Sequence, residues 1–268
     1  ISKKAPMKIS YNWLKKHIPT LVVFIRILRS KIKDLIPYRF RKYNNYGFHN
    51  DRVLLGFISE VLRLFPITAF IETGTYKGNT TLCVKNLKKD LPIFTCEISD
   101  KFFKESSWRF RNINNIKIFK DSSPDFLRDI LVKKVFGDLP LFFLDAHADE
   151  YYWPLLDEVK IIAGNFGKAV IIIDDFEVPG RKDFGYDVWR SEKREIIYNL
   201  DAIKLKLGDL SRYYFLYPDY VISEAFPGKD LPHDPLRGYI IMFKDAKKEF
   251  EIFMKNSLAK NYTTLKLK

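Results

Sequence analysis

The sequence predicts an α/β chain built on a doubly wound, mostly parallel seven-stranded sheet with helices on both faces. Three observations carry this. Short, near-continuous apolar runs alternate with stretches of helical periodicity, and runs without polar alternation suit strands covered on both faces by crossover helices. The first run closes in an acid and two glycines, within Ala69-Phe-Ile-Glu-Thr-Gly-Thr-Tyr-Lys-Gly-Asn-Thr-Thr81. Five successive runs end in acidic or polar groups, which gathers those groups at the carboxyl ends of the strands, where open α/β sheets bind their ligands.

At 268 residues the chain has room for one large α/β domain with an appendage. Cys83 and Cys96 both fall inside core-like runs, which argues against a disulfide framework or a cysteine zinc site and fits a reducing, cytoplasmic setting. The net charge of +13 belongs to one end: residues 1–45 hold 12 basic residues and one acid, the remainder 34 basic and 32 acidic. No basic stripe flanks the acid-tipped strands, so no nucleic-acid partner is expected.

Taken in order, residues 1–49 read as a basic amphipathic segment and linker. Leu14, Ile18, Leu21, Ile25, Leu28, Ile32 and Leu35 form one apolar stripe beside Lys15, Lys16, Arg26, Arg29, Lys31 and Lys33. The continuous apolar run from Leu21 to Ile25 is far short of the roughly 20 residues a bilayer demands, and no small-residue cleavage site follows it. Three readings are open for residues 14–36: a helix lying on an anionic membrane surface, at the inner membrane face; a helix packed on its own domain or on a second copy in a homo-oligomer; and a nucleic-acid arm.

Residues 50–268 read as the main domain. Asn50 or Asp51 caps a helix carrying Leu54, Phe57, Ile58, Val61, Leu62 and Phe65. The first strand delivers Glu72 to a turn where Gly74 and Gly78 let the backbone approach a ligand. A helix from Thr80 to Lys88 leads to a second strand, Ile93 to Ile98, which hands Glu97 to the same rim some 20 residues beyond the glycines, the interval that brings a carboxylate to ribose hydroxyls. After a helix near residues 101–112, a third strand, Ile116 to Phe119, is followed by Asp121-Ser122-Ser123. A fourth, Leu141 to Leu144, ends in Asp145-Ala146-His147, and a fifth, Ala169 to Ile173, in Asp174-Asp175. Tyr151, Tyr152 and Trp153 precede a helix opened by Pro154; those aromatics can stack on a flat acceptor or pack on the chain's own N-terminal segment. Residues 177–235, with their scattered glycines and prolines, read as a lid or acceptor-binding insertion holding a helix near Arg190 to Leu200. Tyr220 to Ser223 and Tyr239 to Phe243 are the expected last two strands, and Asp245 to Lys268 a helix with a cationic tail.

With these motifs in order, the chain resembles the class I S-adenosylmethionine-dependent methyltransferases, Rossmann-like enzymes, over about residues 50 to 245. Glu72-Thr-Gly-Thr-Tyr-Lys-Gly78 resembles their first motif, Glu97 their ribose-binding acid, and Asp121-Ser122 the residues beside adenine. The resemblance implies S-adenosylmethionine as cofactor, held by Glu72, Gly74, Thr75, Gly78, Asn79, Thr80, Glu97, Ile98, Asp121, Ser122 and Asp145. An acid ending the fourth strand and an Asp-Asp pair ending the fifth are similar to metal-assisted O-methyltransferases acting on sugars and glycans, which implies Mg²⁺ on Asp145, Asp174 and Asp175 and a small-molecule or glycan acceptor. His147, two residues after Asp145, departs from that pattern.

The chemistry explains the residue types. A sulfonium methyl is already an activated electrophile, so the protein must align an acceptor, withhold water and take a proton. His147 is the candidate base because its reference pKa lies near neutrality, with Asp145 and Asp174 beside it as candidate catalytic groups. Against these stand plainer roles: His147 as a strand-end histidine bonded to the sheet, and Asp145 or Asp174 as a helix cap. Two rival functions are a turnover-dead scaffold of the same fold and a nucleic-acid methyltransferase.

Overall fold

The computed structural model describes residues 47–133, 137–147, 154–191, 194–226 and 236–265. The basic stripe of residues 14–36, the aromatics Tyr151, Tyr152 and Trp153, the prolines Pro227, Pro232 and Pro235, and the last three residues lie outside them. A turn at Phe48–Asn50 leads into α1 (Arg52–Leu64). There follow β1 (Phe70–Thr73), α2 (Asn79–Leu87), β2 (Ile93–Cys96), α3 (Asp100–Phe110), β3 (Ile116–Phe119), α4 (Ser123–Lys133), β4 (Leu141–Leu144), α5 (Leu155–Asn165) and β5 (Ala169–Ile173). The second half runs β6 (Phe184–Gly185), β7 (Val188–Ser191), β8 (Arg194–Ile197), α6 (Leu200–Leu207), β9 (Tyr213–Pro218), α7 (Ile222–Ala225), β10 (Leu236–Arg237), β11 (Ile240–Lys244), α8 (Lys247–Phe253) and β12 (Tyr262–Leu265).

The main sheet has the order β12-β9-β11-β5-β4-β1-β2-β3. β3, β2, β1, β4 and β5 are parallel, whereas β11 runs antiparallel to both β5 and β9, and β12 antiparallel to β9. This is the 3-2-1-4-5 order of a doubly wound sheet extended by an antiparallel flank. Its switch point falls between β1 and β4, and open α/β sheets bind their ligands at such a point, at the strands' carboxyl ends. β1, β2, β4 and β5 are buried along their whole length, as continuous apolar runs predict.

α1 forms because Asp51 accepts from the amides of Val53 and Leu54, satisfying two orphan donors of the first turn. Its inner face of Val53, Leu54, Phe57, Ile58, Val61 and Leu62 is buried. Phe57 meets the rings of Phe243, Phe253 and Tyr262 at centroid distances of 6.3, 4.9 and 5.6 Å.

Three expectations are corrected. The sheet has eight strands rather than seven, because Tyr262 to Leu265, expected within a terminal helix, pairs with β9 and buries Tyr262. The helix expected near Arg190 to Leu200 is the hairpin β7–β8, with a helix beginning only at Leu200, where Asn199 caps it through the amide of Ala202. The strand expected at Tyr220 to Ser223 lies earlier, at Tyr213–Pro218, whose consecutive aromatic residues suit a pleated core position, while Ile222–Ala225 is helical. Part of the expected lid, β9, is therefore an inner strand of the main sheet.

Candidate functional site

The turn after β1 is held by its own backbone. The amides of Gly74 and Thr75 both donate to Cys96 O, at 3.2 and 2.9 Å, folding the turn over the end of β2. Gly74 has φ +83°, and a Cβ there would sit 2.3 Å from the carbonyl oxygen of Asp145. The missing side chain is what lets the β1 turn touch the β4 end. Gly78, at φ +71°, accommodates the ring of Phe110 in the same way. Arg109 pins the turn from α3 by donating to Lys77 O (2.6 Å) and Asn79 Oδ1 (2.7 Å).

Glu97 closes this edge. Its carboxylate accepts from the Tyr76 amide and the Ser99 amide, each at 2.7 Å, which fixes it under the glycine turn. Ile98, beside it, is 48% exposed, and Asp121 at the end of β3 accepts from the Ser122 amide. Glu97, Ile98, Asp121 and the turn thus lie at neighbouring strand ends, as a nucleoside-bearing ligand requires.

Other expected cofactor residues face inward. Glu72 is buried and its Oε2 accepts from the hydroxyls of Thr81 (2.5 Å) and Thr95 (2.7 Å); burial pushes its carboxyl up to about 7. Thr75 is buried against Thr95 (2.6 Å) and Cys96 O. The Thr80 hydroxyl accepts from the Phe48 amide at 3.3 Å. These residues build the floor of the turn rather than its open face.

Across the switch point lies a second group. Asp145 is tied to β1 by its amide, which donates to Thr73 O at 3.1 Å. His147 Nδ1 stands 3.6 Å from Asp145 Oδ1 and 3.9 Å from Asp175 Oδ2. Asp174, buried, meets His49 Nε2 at 2.9 Å. Asp175 adopts φ +54° and is bonded through Oδ1 to Arg237 Nε, while Arg237 Nη2 reaches Asp187.

The charges explain the titration behaviour. The Asp174 carboxylate raises His49 to about 10, against the opposing effect of burial. Burial, then Asp174, pushes Asp145 well above the usual carboxylate range. Burial and Asp174 raise Asp175 to about 6, with Arg237 holding it down from further rise. Glu158, from α5, lines the same small cavity as Asp145, His147, Asp174 and Asp175. It is 1% exposed and burial lifts it to about 7; the hydroxyls of Ser123 and Thr73 stand near enough to temper that rise but not in hydrogen-bonding geometry.

Sequence reasoning placed Asp145, His147, Asp174 and Asp175 at these strand ends. It missed His49, Glu158 and Arg237, which arrive from a turn, the first turn of a helix and a two-residue strand. The one available signal was Arg237 within an otherwise apolar stretch; nothing in local spacing marks His49. As for metal, His49–Asp174–Asp175 and Asp145–His147–Asp175 each bring three ligand atoms within 4.8 Å of one another, so the residues present fit a cation chemically.

No protein-family model matches the sequence, and no curated protein does. Solved structures do match in shape. The N-terminal domain of EvdMO1, solved with SAH bound, is 10% identical over 82% of this chain and 96% of its own, with a TM-score of 0.46. Precorrin-6y C5,15-methyltransferase from Geobacter metallireducens is 12% identical over 71% and 87%, with a TM-score of 0.45. The 23S rRNA methyltransferase ErmE is 13% identical over 74% and 70%, with a TM-score of 0.43. It is the chain's own strand order and its parallel-to-antiparallel change beyond β5 that give it the Rossmann-like methyltransferase fold.

Proposed function

We propose that the chain is an S-adenosylmethionine-dependent methyltransferase acting on a hydroxyl of a small-molecule or glycan-like acceptor. One observation carries this reading. The glycine turn that can receive the donor touches the backbone of Asp145, and the donor edge, Glu97 and Ile98, and the acid–histidine group, Asp145 and His147, follow the two strands that flank β1, at the same rim of the sheet. S-adenosylmethionine bound there would supply an activated methyl carbon to an acceptor oxygen, its sulfur keeping the electron pair of the broken bond, and His147 would take the hydroxyl proton. A divalent cation on Asp145, Asp174 and Asp175 would supply a Lewis acid that acidifies the hydroxyl; carboxylates alone would suit Mg²⁺.

Calorimetry of the folded full chain with S-adenosylmethionine and S-adenosylhomocysteine tests the donor half. Saturable binding is expected, and absence of binding by both would overturn the reading. Given an acceptor, His147→Ala should lower kcat by about 10²–10⁴-fold with little change in donor affinity. A second reading, a donor-binding protein without turnover, draws on the pairing of Asp174 with His49 and of Asp175 with Arg237, which occupies both acids. It predicts donor binding untouched by His147→Ala and no methyl transfer to any hydroxyl acceptor.

A further inference from the structure

Among the described residues, the acids around β4 and β5 are answered only in part, by His49 on Asp174 and Arg237 on Asp175. Asp145, Asp174, Asp175 and buried Glu158 line one cavity, and the only guanidinium bonded to any of them among the described residues is that of Arg237, on Asp175 Oδ1. Asp175 Oδ2 is left facing His147. Neither Glu158 oxygen has a hydrogen-bond partner among the described residues, although the side chain is 1% exposed. A buried carboxyl without partners costs free energy unless something else in the cavity answers it.

The second observation is how His49 reaches this cavity. Phe48, His49 and Asn50 have φ of +55°, +51° and +64°, three successive non-glycine residues in a left-handed turn. Each such residue costs about 1–2 kcal/mol relative to right-handed backbone. The turn is held because Phe48 is buried edge-on against Phe143 at 5.2 Å and its amide bonds Thr80. A Cβ at Gly47 would lie 2.7 Å from Thr80 Cα, so the chain is pressed onto the start of α2. The outcome is an imidazole nitrogen directed at Asp174 from outside the parallel sheet. The two three-ligand sets share Asp175 and each contains one histidine.

We propose that this corner is a site for a first-row transition-metal dication, with His49 supplying an imidazole nitrogen beside Asp174 and Asp175, Asp145 adjoining them, and His147 outside the ligand set as the base. Magnesium demands hard oxygen ligands and yields its water reluctantly, whereas imidazole with carboxylate suits manganese, iron, cobalt or zinc. Glu158 lies behind this set as a buried acceptor for the hydrogen bonds of metal-bound water. The proposal deepens the metal half of the function proposed above, and its failure is separable from failure of the donor half. Donor binding is read by calorimetry with metal absent, and metal binding is read with donor absent.

The test uses the full chain stripped of metal by chelation and titrated separately with Mn²⁺, Zn²⁺ and Mg²⁺. Mn²⁺ and Zn²⁺ should bind at least about tenfold more tightly than Mg²⁺. Pulsed electron paramagnetic resonance of the Mn²⁺ form should show coupling to histidine nitrogen that changes when the protein carries nitrogen-15-labelled histidine, a measurement that needs no variant. His49→Asn keeps a residue tolerant of the left-handed turn. It should weaken Mn²⁺ binding by about 10–100-fold, alter the nitrogen coupling, and leave Mg²⁺ affinity within about threefold. Equal affinity for Mg²⁺ and Mn²⁺, absence of histidine coupling, or unchanged Mn²⁺ binding in a folded His49→Asn protein would overturn the assignment.

Discussion

At Gly74 two independent demands coincide: a left-handed backbone and a 2.3 Å approach to the Asp145 carbonyl. A neighbouring backbone cannot rotate away as a side chain can. Gly74→Ala is therefore expected to destabilise the fold by at least about 1–3 kcal/mol and to abolish donor binding, measured by chemical denaturation and calorimetry. Glu72 makes the opposite kind of prediction. Its carboxyl, pushed up to about 7 by burial, binds a proton in the folded chain that the unfolded chain releases nearer 4.5. The stability it contributes is present below about pH 4.5 and is lost as pH rises through about 7. Glu72→Gln should flatten that fall and make the protein about 1–2 kcal/mol more stable at pH 8, read from denaturation midpoints. Donor affinity should change less than threefold, because the side chain faces Thr81 and Thr95. The acids at strand ends were legible in the sequence because an apolar run fixes where its last residue goes. Which way each one turns was not, since that depends on partners such as Thr95 and Arg237 that lie on other elements.

The elements divide along the same line. α1 was legible down to its cap, because a capping acid followed by a 3.6-residue apolar period is a local signal. Asp51→Ala should cost about 2 kcal/mol, read by thermal or chemical denaturation, since it leaves the amides of Val53 and Leu54 without an acceptor and removes one of the two partners of the Tyr220 hydroxyl, the other being the Tyr239 hydroxyl. The hairpin β7–β8 was misread as helix because its residues, Val188 to Ile197, carry no glycine at the turn. What defines it is cross-strand pairing, including Arg190 with Glu195 at 2.9 Å, and such pairing is not written in a single strand's period. β12 was hidden for a related reason. The four residues Tyr262 to Leu265 make a strand only when β9 offers them an edge, and the lysines around them look like those of a solvated helix.

At the scale of the whole molecule, the parallel half of the sheet holds the site and the antiparallel half closes the core around α1. No helix among the described residues is long and apolar enough to cross a membrane. The closure is aromatic: Phe57 and Phe253 meet each other and both Phe243 and Tyr262, all within 6.3 Å, and the Tyr262 hydroxyl reaches Val53 O. Phe57→Ala should cost about 3–5 kcal/mol, measured by denaturant unfolding, because rings from three elements would then border a void. The doubly wound half was predictable from strand runs alone. This aromatic closure was not, because its members are about 200 residues apart in the chain and meet only in three dimensions.

That separation bears on how the protein is made. The apolar face of α1 leaves the ribosome about 200 residues ahead of Tyr262, which seals it. At usual elongation speeds the interval is about 10–40 s. Throughout it the apolar face of α1 lacks the ring that seals it, so that face stays open on the nascent chain until translation has passed β12.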